Sequence, residues 1–380
     1  MRFKKTDKNT SKKADKAGKS AAKSKSAAAI SGRTVIGLDI SQGHVRMVQL
    51  SAKSGNQVRL EKYAIEPLPQ NVVVGTEIAD FDMLVSHLQQ CYGKMKTNCK
   101  LVNLALPAAT VTVEDNLQYS ADSELSIQEL VEAEVARFGA LDEMNYDWQV
   151  LSEGDAKNKD QTLLMVAAKT ENVNQRIDLL DEIGLTAANM DVDLFAIFNA
   201  FAFVNEMRGN EFAQERVALF DVGDVAMKAL IVENGRILYR HESNFGADQL
   251  IQLIQRNYQT TEDEALEMIN GRRPRPEGYQ TEVADIFNMQ VGQEVQRAMQ
   301  FFLTTRSDST SDIHRILISG SGCIPGSGLA EVIRIQTEVP TEQIAPAALA
   351  ENKAKVSIDQ FDRDANSLTM AFGLALRGLF

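Results

Sequence analysis

The fold is decided by two similar octapeptides, TVIGLDIS at residues 34–41 and RVALFDVG at residues 216–223. Each has the composition of a buried β-strand that ends in aspartate, one apolar residue and a small residue. A second predicted strand follows each of them, at 45–50 and at 226–232, so both stretches open a β-meander. An internal duplication of this kind indicates two similar domains that face each other across a cleft.

The aspartates at the ends of these strands, Asp39 and Asp221, are the first candidate functional residues. A tight strand-to-strand turn points backbone N–H groups at an anion, and a carboxylate beside it can hold a hydrated divalent metal. An isolated strand-end aspartate is more often a simple turn cap, but the duplicated context favours a phosphate site.

A third element, ILISGSGCIPGSGL at 316–329, places a glycine turn between a buried strand and a helix. Glycine lets the backbone approach a ligand closely, and the helix N-terminus favours an anion. Taken alone this turn is a weak signal, because its spacing matches neither a P-loop nor a dinucleotide-binding fingerprint.

The chain has 380 residues, of which 44% are hydrophobic and 24% are charged, close to globular averages. This composition predicts a soluble, folded protein, and the length predicts two or three domains. The longest apolar stretch, at 194–204, is far shorter than the ~20 residues of a spanning helix, so we expect core helices here and at 368–380 and no transmembrane segment. The three cysteines and four histidines form no disulfide framework, zinc motif or catalytic set, which favours a reducing cytoplasm.

Charge is distributed unevenly along the sequence. Residues 1–33 hold nine Lys and two Arg against two Asp, a net charge of +9, whereas the whole chain has a net charge of −12. With few large apolar side chains, this tail is predicted to be disordered. It is either a solvated tail or a Lys-rich segment attracted to an anionic membrane, with nucleic acid a weaker third option. Because the remainder is acidic, we expect no nucleic-acid partner.

The region between the two duplicated stretches is predicted to contain an inserted α+β subdomain. Its predicted elements are, in chain order, a helix at 80–93, strands at 102–106 and 110–117 that pair around Pro107, a helix at 126–138 with Ser126 and Glu129 as a capping box, and strands at 148–151 and 163–169. A helix at 171–183, a strand near 187–192 and an apolar helix at 194–207 then lead to the second stretch.

Two aspartate-ended meanders, an inserted block in the first half and a late glycine turn together resemble the actin-like ATPase superfamily. Within it the sequence resembles the PilM family of type IV pilus assembly proteins, relatives of the cell-division protein FtsA. The segments that carry this resemblance run in order through residues 34–380, and they are GLDIS at 37–41, VRMVQL at 45–50, YAIEPLP at 63–69, FDVG at 220–223, EVQRAMQFF at 294–302 and FGLALRG at 372–378.

The resemblance implies an α/β fold of the actin-like, duplicated ribonuclease H-like type, with an inserted α+β subdomain in the first half. After the tail at 1–33, the expected division is subdomain 1A at 34–61, 192–212 and 365–380, subdomain 1C at 62–191, subdomain 2A at 213–250 and 312–364, and subdomain 2B at 251–311.

The resemblance also implies a cytoplasmic scaffold, peripheral to the inner membrane, that captures the N-terminal peptide of the membrane protein PilN. Through PilN it would join the inner-membrane pilus alignment complex, and self-association stays open. ATP or ADP with Mg²⁺ is the implied cleft ligand, with the metal at Asp39 and Asp221. The implied nucleotide-binding positions are Asp39, Ser41, Gln42, Gly43, Asp221, Gly223, Asp224, Gly246, Gly320, Ser321 and Gly322. Of these, Gly320 and Gly322 match the turn that the resemblance assigns to adenosine.

Several positions depart from the superfamily pattern. Ser41 and Met227 stand where glycine and Ser or Thr are common, and Ile269 stands where related chains often carry Lys. The predicted helix at 194–207 contains no Gln that would orient an attacking water. We therefore expect no catalytic residue and little or no hydrolysis. The alternatives are an ATP-hydrolysing enzyme or a filament-forming protein of the same superfamily, which fold alone does not separate.

Overall fold

The computed structural model describes residues 34–53, 57–120, 122–152, 160–305 and 312–379. The basic tail predicted at 1–33 lies outside this part of the chain. The described strands are β1 (Val35–Ile40), β2 (His44–Lys53), β3 (Gln57–Pro67), β4 (Val73–Val74), β5 (Glu77–Ile78), β6 (Leu101–Leu106), β7 (Val111–Tyr119), β8 (Met144–Ser152), β9 (Gln161–Lys169), β10 (Thr186–Val192), β11 (Val217–Val222), β12 (Met227–Glu233), β13 (Arg236–Ser243), β14 (Arg315–Ser319), β15 (Thr341–Gln343) and β16 (Glu351–Asn352).

The described α-helices are α1 (Phe81–Met95), α2 (Ile127–Val135), α3 (Thr170–Glu182), α4 (Asp193–Met207), α5 (Asp248–Tyr258), α6 (Glu262–Ile269), α7 (Asp285–Thr305), α8 (Leu329–Thr337), α9 (Ile358–Asp364) and α10 (Thr369–Leu376). The first four confirm the predicted helices at 80–93, 126–138, 171–183 and 194–207. The predicted capping box is present at the start of α2, where Ser126 and Glu129 each bond the other's backbone N–H.

The two predicted domains are built around two sheets of the same plan. One has the strand order β10-β6-β1-β2-β3-β16, and the other has the order β13-β12-β11-β14-β15. In the first, β1 lies between antiparallel β2 and parallel β6. In the second, β11 lies between antiparallel β12 and parallel β14. The duplication predicted from the two octapeptides is therefore confirmed, and the carboxyl ends of β1 and β11 bring both aspartates to the cleft.

Helix α10 holds the first domain together and joins it to the second. All eight of its residues are buried, which confirms the predicted core helix near the end of the chain. A side chain on Gly37 would lie 1.9 Å from the carbonyl oxygen of Ala371, and one on Gly373 would lie 1.9 Å from that of Ala196. These glycines let α10 pack directly on β1 and on α4. Leu374 of α10 and Leu219 of β11 belong to one hydrophobic cluster, so this core crosses the domain boundary.

The predicted pairing of strands 102–106 and 110–117 is wrong. Strand β6 pairs with β1 and β10, whereas β7 belongs to a separate three-stranded sheet of order β7-β9-β8. Between them, Pro107 leads into a short 3₁₀ turn at Ala108–Thr110. This sequence lacks the Gly or Asn that a tight hairpin requires, so the turn redirects the chain instead of reversing it.

The three-stranded sheet and α2 form an insert with its own small core, which includes Val131, Val135 and Met165. In contrast, β6 and β10 lie in the first sheet, and residues of α1 and α3 pack with β1 in one cluster. Sheet membership thus favours an insert of about 111–169, narrower than 62–191. The division into subdomains stays a prediction.

Within the described part of the chain, no helix has both the length and the apolar character needed to cross a membrane.

Candidate functional site

The aspartates that end β1 and β11 each face a basic residue on the neighbouring antiparallel strand. Asp39 is paired in register with Arg46 of β2, and Asp221 is paired with Lys228 of β12. These four side chains lie at a cavity of about 370 Å³ between the two domains. The duplicated meanders therefore place two carboxylates and two cations at one cleft.

Asp224, from the turn after β11, connects the two domains directly. Arg46 donates two hydrogen bonds to its carboxylate, at 2.7 Å and 3.0 Å. The Ser41 hydroxyl donates to the same carboxylate, and His44 Nδ1 lies 3.2 Å from it. The turn after β1 and the turn after β11 are thus joined at their tips.

Burial sets the protonation of these carboxyls, and neighbouring charges modify it. Burial raises the pKa of Asp39 to about 6, against the lowering effect of Arg46. Burial also raises the pKa of Asp221, although Lys228 and a hydrogen bond donated by the Ser319 hydroxyl at 3.1 Å oppose the rise. Burial alone would raise the pKa of Asp224, but the Arg46 guanidinium and His44 hold it well below its usual range. A further cation beside Asp39 and Asp221 would stabilise the charged form of each carboxyl.

Lys228 of β12 is neutralised by two carboxylates, Asp193 at the start of α4 and Glu242 of β13. Its Nζ lies 3.3 Å from Asp193 and 3.5 Å from Glu242. Burial alone would lower the pKa of Lys228, but these two carboxylates raise it above its usual range. Asp193 also accepts a hydrogen bond from the backbone N–H of Ala108 at 3.0 Å, which ties the start of α4 to the loop after β6.

Most of the predicted nucleotide-binding residues line this cavity, and three do not. Those that line it are Asp39, Ser41, Gln42, Asp221, Gly223, Asp224, Gly320 and Ser321. Gly43, Gly246 and Gly322 instead lie against the protein itself. A side chain on Gly246 would lie 2.5 Å from the backbone nitrogen of Val225, and one on Gly322 would lie 2.4 Å from Val222. The chain therefore requires these two glycines for backbone packing, whatever the cleft binds.

The sequence predictions missed three cationic residues of the cavity, Arg46, Lys228 and Arg176. The first two leave a trace in the sequence, because a basic residue follows each strand-end aspartate by seven positions, the spacing that the antiparallel register requires. Arg176 lies on α3, far from both meanders in the sequence, and no motif marks it.

A model of the family described as type IV pilus assembly protein PilM matches residues 37–379. The chain belongs to the PilM family. A chain from the solved structure of a PilM–PilN type IV pilus biogenesis complex is similar to it at 20% identity and a TM-score of 0.71, over 91% of this chain and 98% of that one. The ethanolamine utilization protein EutJ from Carboxydothermus hydrogenoformans is similar at 12% identity and a TM-score of 0.54, over 92% of each chain. The predicted actin-like α/β fold is confirmed.

The side chains at this PilM-family cleft supply only part of the ligands that a magnesium ion needs, and they fit the ion only if phosphate supplies others. Among the described residues, no group of three or more His, Cys, Asp or Glu could hold a metal ion by itself. Mg²⁺ is commonly bound by one or two carboxylates together with water and substrate phosphates. Asp221 supplies a buried carboxyl and Asp39 a partly buried one, both of raised pKa, which suits that incomplete set.

Proposed function

We propose that this chain is a scaffold of the type IV pilus assembly machinery that captures the N-terminal cytoplasmic peptide of a PilN protein. The observation that carries the proposal is the family match, which runs through residues 37–379. The similarity to the PilM chain of a PilM–PilN complex supports the choice of partner. Through this partner the protein would be held at the inner membrane.

The insert is the proposed binding site for the peptide. In its β7-β9-β8 sheet, the two outer strands each have one neighbour among the described strands, so their other edges offer the backbone groups that an extended peptide pairs with. Arg240 of β13 donates to the Val113 carbonyl at 3.3 Å, and Arg236 donates to the Leu151 carbonyl at 3.2 Å. A peptide at either edge would therefore lie near β13 and the second domain.

Removing the insert tests this proposal. Val111 of β7 and Ala168 of β9 are paired in register. A Gly-Gly link between them can therefore replace residues 112–167 without moving the two ends of the deletion apart. We expect the intact protein to bind a PilN N-terminal peptide of about ten residues in calorimetry. The shortened protein should lose this binding while it keeps a cooperative thermal transition. Peptide binding that survives the deletion would show that the site lies elsewhere.

We also propose ATP or ADP with Mg²⁺ as the ligand of the cleft, with the phosphates at the two turns and the metal between Asp39 and Asp221. Removal of either carboxylate should weaken Mg²⁺-dependent nucleotide binding by about several-fold to a hundredfold, as loss of a charge-assisted contact does. Calorimetry on Asp39→Ala and Asp221→Ala measures this, and unchanged affinity in both would contradict the metal assignment. We expect phosphate release well below ~1 per second, the lower end of ordinary turnover.

A further inference from the structure

Arg176 is a buried cation that has no partner in the part of the chain that the structure describes. It lies on α3 of the first domain, its side chain is only 7% exposed, and it lines the cleft cavity. Within the described residues it makes no hydrogen bond or ion pair. The other two cations of the cavity have partners. Arg46 pairs with Asp224, and Lys228 pairs with Asp193 and Glu242.

A buried arginine with no such partner lowers the stability of the unliganded protein. A charge taken out of water without a partner loses its hydration and gains no attraction in return. Burial accordingly lowers the pKa of Arg176, against the weaker influence of the Asp193 and Asp39 carboxylates. Because Arg stays protonated in proteins, the favourable way to satisfy it is an anion that enters the cavity.

We propose that Arg176 binds the terminal phosphate of a nucleoside triphosphate and so makes the cleft prefer ATP to ADP. The inference rests on the proposed nucleotide site. Arg176 lines the same cavity as Asp39, the proposed metal ligand, and the Asp39 carboxylate acts to raise the pKa of Arg176. The glycine turn assigned to adenosine comes from the second domain instead, between β14 and α8. The ligand charge within reach of Arg176 is therefore at the phosphate end of the nucleotide, and a planar guanidinium suits a terminal phosphate.

The test compares Arg176→Met and Arg176→Lys with the parent protein, by calorimetry with Mg²⁺ and either ADP or a non-hydrolysable ATP analogue. In Arg176→Met, affinity for the triphosphate should fall about tenfold or more, while affinity for ADP changes less than about threefold. Arg176→Lys should restore part of the triphosphate affinity, because it keeps the charge. The matched control is Arg377→Met, which breaks a 2.7 Å ion pair with Asp191 outside the cavity and should leave the ATP-to-ADP ratio unchanged.

Thermal unfolding without ligand separates ligand binding from a structural role. Loss of an unpaired buried charge should leave Arg176→Met at least as stable as the parent, whereas Arg377→Met should be less stable. A less stable Arg176→Met, or equal losses of affinity for both nucleotides, would overturn the inference. If the parent binds both nucleotides and Arg176→Met binds each of them with the affinity of the parent, this inference fails and the proposed site stands. A parent that binds neither nucleotide would refute both.

Discussion

Asp224 links the two domains at the cleft. It belongs to the second domain, yet it accepts hydrogen bonds from Arg46 and Ser41 of the first. Asp224 and Arg46 are both more than nine-tenths buried, so little solvent screens their attraction. The interdomain pair thus joins the two turns that we propose hold phosphate.

The first prediction concerns the strength of this pair. Because breaking one partner of a buried ion pair leaves the other uncompensated, Arg46→Met should lower the free energy of unfolding by about 3 kcal/mol. Asp224→Asn should be milder, since Asp39 lies 3.4 Å from Arg46 and keeps part of the interaction. Urea unfolding of both single variants and the double variant gives the coupling energy, which we expect to be at least about 1 kcal/mol. Additive effects would mean that the two side chains do not act as a pair.

The sequence allowed only some of the residues at the cleft cavity to be predicted. The strand-end aspartates and their turns stand out because the duplication repeats them, and the structure brings both to one cavity. Arg46 and Lys228 were missed although they share a seven-residue spacing from Asp39 and Asp221, since this spacing has meaning only once the antiparallel register is known. Arg176 was unpredictable, because a buried arginine on an ordinary helix acquires its role from tertiary contacts alone.

Close packing of α10 is the main structural feature at the scale of elements. The helix is apolar on all sides, and glycines at 37 and 373 allow its backbone to touch β1 and α4. A helix that is hydrophobic all round is buried on every face. Changes in its small residues are therefore expected to alter the spacing of the elements around it.

The second prediction compares two helical glycines. Gly373→Ala would place a methyl group 1.9 Å from the carbonyl oxygen of Ala196, so α10 and α4 must separate, and we expect a loss of about 1–3 kcal/mol. Gly93→Ala on α1 is the matched control, because a side chain there meets nothing within 4 Å. It should be neutral or stabilise the protein by up to about 1 kcal/mol, as alanine is the better helix former. Equal thermal stabilities of the two variants would contradict the packing argument.

The helices could be predicted from the local sequence pattern, but the pairing of strands could not. Helices α1 to α4 were predicted from apolar spacing and caps, signals that reside within each segment. The wrong pairing of β6 with β7 arose because two strands close in sequence were assumed to be neighbours. The buried pattern of β6 is typical of a central parallel strand, whose partners β1 and β10 lie far away in the chain.

At the scale of the whole molecule, the site exists only because the two domains face each other. One carboxylate, one cation and one turn come from each duplicated meander, and the ion pair of Arg46 with Asp224 runs between them. Neither domain alone would carry the complete cavity. Since the duplication is visible in the sequence, the existence of a cleft was predictable, but the side chains that join the two domains there were not.

The last prediction concerns the opposite charges of the two parts of the chain. The sequence 1–33 carries a net charge of +9 in a protein of net charge −12, so the remainder is strongly acidic. Each Lys near an anionic membrane surface contributes about 1 kcal/mol of attraction, whereas the acidic remainder is repelled. Deletion of residues 1–33 should therefore reduce adhesion to vesicles that contain anionic lipid, and leave PilN-peptide affinity within about twofold.

A control matched in length decides whether the lysines are responsible for this adhesion. A 380-residue variant with all nine lysines of 1–33 changed to Gln keeps the length of the tail and reduces its net charge from +9 to zero. In vesicle sedimentation it should behave like the deletion, and adhesion of the parent should weaken as salt rises from about 0.05 to 0.5 M, because the screening length shortens over this range. If adhesion is insensitive to salt, or if the Gln variant binds vesicles as the parent does, the tail does not act through its charge. The membrane contact of this protein would then depend on its protein partner alone.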